Sequence, residues 1–330
     1  MNHAAAFSQP HAALFGHGGR LCAAARHFPD AAGPWIDLST GISPWAYPVD
    51  QSDLSAWSRL PEPESLQTLE TVAAAAFGAP DPAEVVAVPG SDLAIRLLPL
   101  LLGAAQAHFL PPIYSGHRAA WAGALPLSPE SMEEAELLLL ANPNNPDGRV
   151  IDPEALRALP GRIIVDEAFA DAIPGISLAS NRCGAIVLRS FGKFFGLAGL
   201  RLGFVIADAP FATRLRALLG DWPVSAPAIG IATAAYQDKD WQRAQRQRLT
   251  YACHRLDTIL DAAGLDIAGG TPLFRFTRTS VAADLFCHLA EAGILVRPFT
   301  YDPAALRFGL PGEEPQWQRL EQALSTWSKQ

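Results

Sequence analysis

Short apolar runs alternate with longer stretches of helical spacing through the first two thirds of the chain, and that alternation predicts strands set between helices. Over 64–77 the residues Leu66, Leu69, Val72 and Ala76 fall on one helical face, and Gly78 and Pro80 stop the pattern. A run at 85–88 reads as a strand, after which Pro89-Gly90-Ser91-Asp92 opens a second helical stretch over 93–102. Strand, glycine turn and helix N-terminus in that order outline a place where backbone amides meet a phosphate. The largely apolar runs at 107–110, 137–140, 162–165, 185–188 and 203–206 suit strands covered on both faces. After Asp208 the pattern changes to a long helical region over 226–263, a strand over 273–278, a helix over 281–292, two short strands near Ile294 and Leu306, and a final helix.

This order predicts an α/β protein with a mainly parallel sheet flanked by helices over 45–210. Residues 1–44 with 211–330 are expected to form a smaller α+β domain, joined to the first by the long helix. At 330 residues the chain is long enough for both.

Composition narrows the function classes. A net charge of -8 and a pI near 5.5 argue against a nucleic-acid surface, though not against a local basic pocket for a small anion. No apolar run reaches the length of a membrane span. The first ten residues lack a basic segment followed by an apolar one, so a cytoplasmic location is expected. Cys22, Cys183, Cys253 and Cys287 are scattered, without zinc-site spacing or the density of a disulfide scaffold. Only three lysines are present, Lys193, Lys239 and Lys329, which leaves few candidates for an amine that reacts with a carbonyl.

Three polar segments end or follow predicted strands and a fourth leads into one, and ligands of open α/β sheets bind at such strand ends. They are Ala141-Asn142-Pro143-Asn144-Asn145-Pro146-Asp147-Gly148, Val165-Asp166-Glu167-Ala168-Phe169, Ser190-Phe191-Gly192-Lys193 and Gly199-Leu200-Arg201-Leu202-Gly203-Phe204. Singly, each has an ordinary structural reading: a turn, an N-cap, a surface lysine, a helix-end charge. Their order along one sheet is what points to a site.

In type, order and spacing these motifs resemble the fold-type I pyridoxal-phosphate enzymes of the class I/II aminotransferase superfamily, over nearly the whole chain. The resemblance implies pyridoxal 5′-phosphate as cofactor and Lys193 as its Schiff-base lysine. Asp166 matches the carboxylate that pairs with the pyridine nitrogen, and Asn145 the amide that meets the phenolic oxygen. Tyr114, in Pro111-Pro112-Ile113-Tyr114-Ser115, matches the aromatic residue stacked on the ring. Ser91 with neighbouring amides, Ser190 and Arg201 match the phosphate cup, and Asp92 is counted with the cofactor-binding residues. Phe169 stands where many aminotransferases have a tyrosine, which removes one donor to the phenolic oxygen.

Within the superfamily the chain looks like the threonine-phosphate decarboxylases of cobalamin biosynthesis, relatives of the histidinol-phosphate aminotransferases. The residues that carry this are Phe15-Gly16-His17-Gly18-Gly19-Arg20, Asp37-Leu38-Ser39-Thr40-Gly41-Ile42-Ser43-Pro44, the Asp166-Glu167-Ala168-Phe169 motif, and Gly293-Ile294-Leu295-Val296-Arg297-Pro298. The implied reaction takes L-threonine O-3-phosphate, a small phosphorylated amino acid, to (R)-1-amino-2-propanol O-2-phosphate and CO2. An aminotransferase acting on histidinol phosphate is the alternative. Arg307 matches the superfamily's carboxylate-binding arginine. Arg297, His17 and Arg20 are candidates for the substrate phosphate, with Gly18, Gly41 and Ile42 in the covering segments. Which arginine meets which anion stays open. The resemblance further implies a homodimer, with Tyr47 a candidate to reach the neighbouring cofactor phosphate.

Overall fold

The computed structural model describes residues 14, 16–49, 55–103 and 106–327, so Phe15 and Lys329 lie outside the described residues. The chain divides into two units, one of residues 46–246 and one of residues 1–45 with 247–330. The division falls inside the helix Lys239–Ala262, later than the 210 expected from sequence. The reason is packing: the helices Ala209–Leu219 and Ala226–Gln237 rest on the Val85–Val88 strand and on the helix Pro63–Phe77 respectively.

The large unit holds a seven-stranded sheet. Its order is Val85–Val88, Gly203–Ile206, Ile186–Ser190, Arg162–Asp166, Leu137–Ala141, Ala107–Phe109 and Leu125–Pro126. Every neighbouring pair is parallel except the two made by Gly203–Ile206, which runs antiparallel to both neighbours. Alternation sorts the side chains of these strands onto two faces. Val86, Val88, Leu137, Leu139, Ile164, Ile186, Leu188 and Val205 form one buried layer with Ile95 and Leu98 of the helix Ser91–Leu102 and with Phe211 and Leu215. On the other face Phe204 meets Phe77 and Tyr236, with ring centroids 5.3 and 5.7 Å apart. Both faces are covered, which explains the continuous apolar runs.

The helix Pro63–Phe77 ends where the sequence signals it, with Gly78 in the left-handed conformation at φ 72°. The helical region expected over 226–263 is two helices, Ala226–Gln237 and Lys239–Ala262. Asp238 separates them and caps the second, its carboxylate accepting from the Trp241 amide at 2.9 Å.

The small unit has a four-stranded antiparallel sheet in the order Arg297–Pro298, Ala305–Gly309, Phe274–Arg278 and Asp266–Thr271. The Asp266–Thr271 strand was not expected, because Gly269 and Gly270 dilute its β signal. A two-residue parallel pairing joins Ile36–Asp37 to Ile294–Leu295. Helices Leu21–His27, Ala282–Glu291 and Glu314–Ser325 belong to the same unit, as does the later part of Lys239–Ala262.

Candidate functional site

In the large unit the expected residues gather where strands end. Gly90, at φ 87°, turns the chain from Val85–Val88 into the helix Ser91–Leu102, a backbone conformation that favours glycine. A Cβ on Gly90 would stand 2.7 Å from Nη2 of Arg201, and one on Gly203 would stand 2.6 Å from the Ser91 amide nitrogen. The Arg201 guanidinium therefore lies against the first turn of that helix, beside Ser91. Arg201 is itself left-handed at φ 53°, and its Nη1 donates to the Ala198 carbonyl at 3.1 Å. A helix N-terminus and a guanidinium at one point suit a phosphate dianion. Ser190 closes the adjacent strand and is buried.

Asp166 ends the Arg162–Asp166 strand, also buried. Its Oδ1 accepts from the Ala168 amide at 3.1 Å, and its Oδ2 lies 3.1 Å from Nε2 of His117. His117 is fully buried on the short helix Ser115–Ala120, and its Nδ1 finds no partner among the described residues. Sequence reading missed His117. The signal was its place three residues after Tyr114, the spacing that brings two side chains to one side of a helical turn. The two rings meet edge to face, 6.2 Å apart.

The Tyr114 hydroxyl donates to Oδ1 of Asp92 at 3.1 Å, and Oδ2 of Asp92 receives Nε of Arg96 at 3.1 Å. Burial, then the charges of Asp92 and Asp166, push the Tyr114 phenol up, so it stays protonated. Asp92 thus reaches the site as a partner of Tyr114. Asn145 is half-buried in its turn, which Asn144 braces by donating to the Pro112 carbonyl at 2.9 Å and to Asp147 at 2.8 Å.

Lys193 is half-buried on the turn Phe191–Phe194. Phe191, Phe194 and Phe195 are all buried, and a Cβ on Gly192 would come 2.5 Å from the Ala198 Cα, so the turn is held tightly on both sides. Phe169 is buried. The Tyr47 amide donates to the Phe195 carbonyl at 2.9 Å, and its hydroxyl approaches Asp238 at 3.5 Å.

The small unit carries the residues expected to bind anions. Arg297 and Arg307 are register partners on adjacent antiparallel strands, so both side chains stand on one face. Arg307 is buried over Phe274, and its Nη2 donates to the Ser39 carbonyl at 3.2 Å. Burial and the like charge of Arg297 push its guanidinium down, to about 9. Arg297 donates from Nη2 to the Gly16 carbonyl at 2.8 Å. Gly18 and Gly19 lie against Ser39: the Gly19 amide donates to Ser39 Oγ at 2.8 Å, and a Cβ on Gly18 would collide with the Ser39 carbonyl. Asp37 holds Ser39 in turn through the Ser39 amide at 2.9 Å. A Cβ on Gly16 would stand 3.7 Å from Nη2 of Arg20, which places that exposed guanidinium beside the same loop. His17 is exposed there, Gly41 is buried and Ile42 half-buried in the following segment.

The large-unit set fits pyridoxal phosphate by the chemistry of its donors: a cationic and amide-lined cradle for the phosphate, a buried carboxylate for the ring nitrogen, and an amine for the aldehyde. The family profile described as aminotransferase class I and II matches residues 120–324. The chain is 42% identical over 325 residues to a threonine-phosphate decarboxylase of Pseudomonas aeruginosa, covering 93% of this chain and 96% of that protein. A threonine-phosphate decarboxylase of Sinorhizobium sp is 37% identical over 327 residues, 94% of this chain and 97% of the relative. Among solved structures, histidinol-phosphate aminotransferase from Sinorhizobium meliloti in complex with pyridoxal-5′-phosphate superposes with a TM-score of 0.77. That match has 20% identity and covers 94% of this chain and 97% of the other, a likeness of fold.

Proposed function

The chain belongs to the class I and II aminotransferase family, and from that premise we propose that it releases CO2 from L-threonine O-3-phosphate, leaving (R)-1-amino-2-propanol O-2-phosphate for cobalamin biosynthesis. Its cofactor is pyridoxal 5′-phosphate. The observation that carries the reading is the likeness, over nearly the whole chain, to a threonine-phosphate decarboxylase at 42% identity. The facing pair Arg297 and Arg307 agrees with it, because this substrate brings a carboxylate and a phosphate together.

When bound, pyridoxal phosphate supplies the electron sink for the pair left on Cα as CO2 departs. Lys193 would hold the cofactor aldehyde through its amine and afterwards deliver a proton to Cα. Asp166, anchored by His117 and the Ala168 amide, would keep the ring nitrogen protonated. Tyr114 would lie on the ring and Asn145 would meet its phenolic oxygen. Ser91, Ser190 and Arg201 would take the cofactor phosphate. On the substrate side, Arg307 would fix the torsion of the carboxylate, because a planar guanidinium fork pairs with it in one plane. Arg297, with Arg20 and His17, would take the substrate phosphate. The reading includes a homodimer and a cytoplasmic location; light scattering of the purified protein checks the first. No described helix is long and apolar enough to cross a membrane.

The test supplies the cofactor-loaded protein with threonine phosphate and no oxo acid. CO2 release is expected. Its absence, together with turnover of histidinol phosphate only when an oxo acid is present, would overturn the proposal in favour of an aminotransferase.

A further inference from the structure

Behind the cofactor residues of the large unit runs one connected chain of buried charged and aromatic groups. Successive strand residues point to opposite faces, so Arg189 and Ser190 part company. Arg189 takes the face of its register partner Phe204, and its guanidinium stands 4.5 Å from the Phe77 ring centroid. There Nη1 donates to Oε2 of Glu167 and to Oγ of Ser177, both at 3.1 Å, while Nη2 pairs with Asp171. Glu167 also accepts the Ser177 hydroxyl and the Leu178 amide, each at 2.6 Å. The Asp171 carbonyl accepts from Nε of Arg246 at 2.9 Å. Arg246 in turn stands 5.2 Å from the Phe194 ring centroid, and Nε2 of Gln245 donates to the Phe194 carbonyl at 3.3 Å. Burial by itself would push the Arg189 guanidinium down, but Asp171 and Glu167 outweigh it and raise it, so the cluster stays ionised at the arginine.

Each anchor point of this chain is the sequence neighbour of a cofactor residue. Glu167 follows Asp166, Arg189 precedes Ser190, and Phe194 follows Lys193. A buried ion cluster returns little net stability for its desolvation, whereas its directional bonds fix where backbone segments lie. The guanidinium fork of Arg189 spans two carboxylates, a geometry that a lysine ammonium does not reproduce.

We infer that Arg189 and Arg246 are positioning residues that hold the Asp166 carboxylate, the Ser190 hydroxyl and the Lys193 amine in mutual register for the cofactor. The inference rests on the cofactor part of the function proposed above. It does not depend on which substrate is taken.

The experiment compares Arg189→Lys, Arg246→Met and Glu167→Gln with Arg216→Met. The last breaks the ion pair with Glu70, 2.8 Å long, which joins the helices Ala209–Leu219 and Pro63–Phe77. At a temperature where far-ultraviolet circular dichroism shows every variant folded, two quantities are read on the cofactor-loaded proteins. These are the rate of cofactor loss to an acceptor apoprotein and the visible circular dichroism of the cofactor band. At least Arg246→Met, whose side chain is only partly buried, is expected to fold. In the cluster variants cofactor loss is expected to be faster by about 10- to 100-fold, with a changed visible band. Arg216→Met should lower Tm with both readouts as in the wild type. Cluster variants that lower Tm like Arg216→Met while keeping wild-type cofactor loss and band would overturn the inference. If the wild type fails to release CO2 yet the cluster variants shift both readouts, the substrate proposal fails and the positioning role stands.

Discussion

The two units treat charge in opposite ways. Among the described residues of the large unit, charged groups near the proposed cofactor residues are paired: Asp166 meets His117, the partly exposed Asp92 meets Tyr114 and Arg96, and Arg189 sits between Glu167 and Asp171. In the small unit Arg297 and Arg307 stand side by side with the same sign, and the net effect of burial and repulsion is to depress Arg307 in spite of Asp37 and Tyr301. The first arrangement braces its carboxylates within the fold, which suits a resident cofactor. The second sets two like charges on one face, which suits the anionic substrate of the proposed function.

The largest break in this comparison comes from Lys193→Ala. It should abolish the visible band that borohydride reduces and lower CO2 release by about 10⁴-fold or more; retention of both would remove Lys193 from its role. Stability separates the units next. Arg189→Met strands two buried carboxylates and should lower unfolding free energy by about 3–5 kcal/mol in urea titrations. Arg307→Met removes a repelled guanidinium and should leave Tm unchanged or raised. Equal losses in the two variants would erase the distinction drawn above.

Arg307→Met should instead act on binding, raising KM for threonine phosphate by about 10- to 100-fold, the worth of a charge-assisted hydrogen bond. The smallest effect is in pH. The Arg307 value is depressed, so the fold disfavours its charged form. Stability associated with this group is therefore present above its unfolded value and falls as pH drops through about 9. Anion binding needs the charged form, so affinity for threonine phosphate should weaken as pH rises through about 9. A KM that stays flat across that range would show that a different group carries the anion.

Sequence reading was strongest where chemistry and periodicity coincide. Lys193 stood out because so few lysines exist, and Asp166, Asn145 and Arg201 stood out because each follows or leads into a run that reads as a buried strand. The mainly parallel sheet was legible for the same reason, its strands being apolar on both faces. The antiparallel direction of Gly203–Ile206 was not, since direction leaves no trace in residue type. The break at Asp238 carried a signal, an N-cap residue within helical spacing, which the longer periodicity overrode. The strand Asp266–Thr271 was hidden by its glycines.

What the sequence determined by itself is which polar and titratable groups stand at the ends of the buried strands, because both depend on local residue type. Lys193 belongs to that set. Tertiary structure alone decided how those groups are held. His117 reaches Asp166 across 49 positions, and Arg189 reaches Glu167 across 22. Such pairings depend on which strands become neighbours, and only the folded sheet settles that.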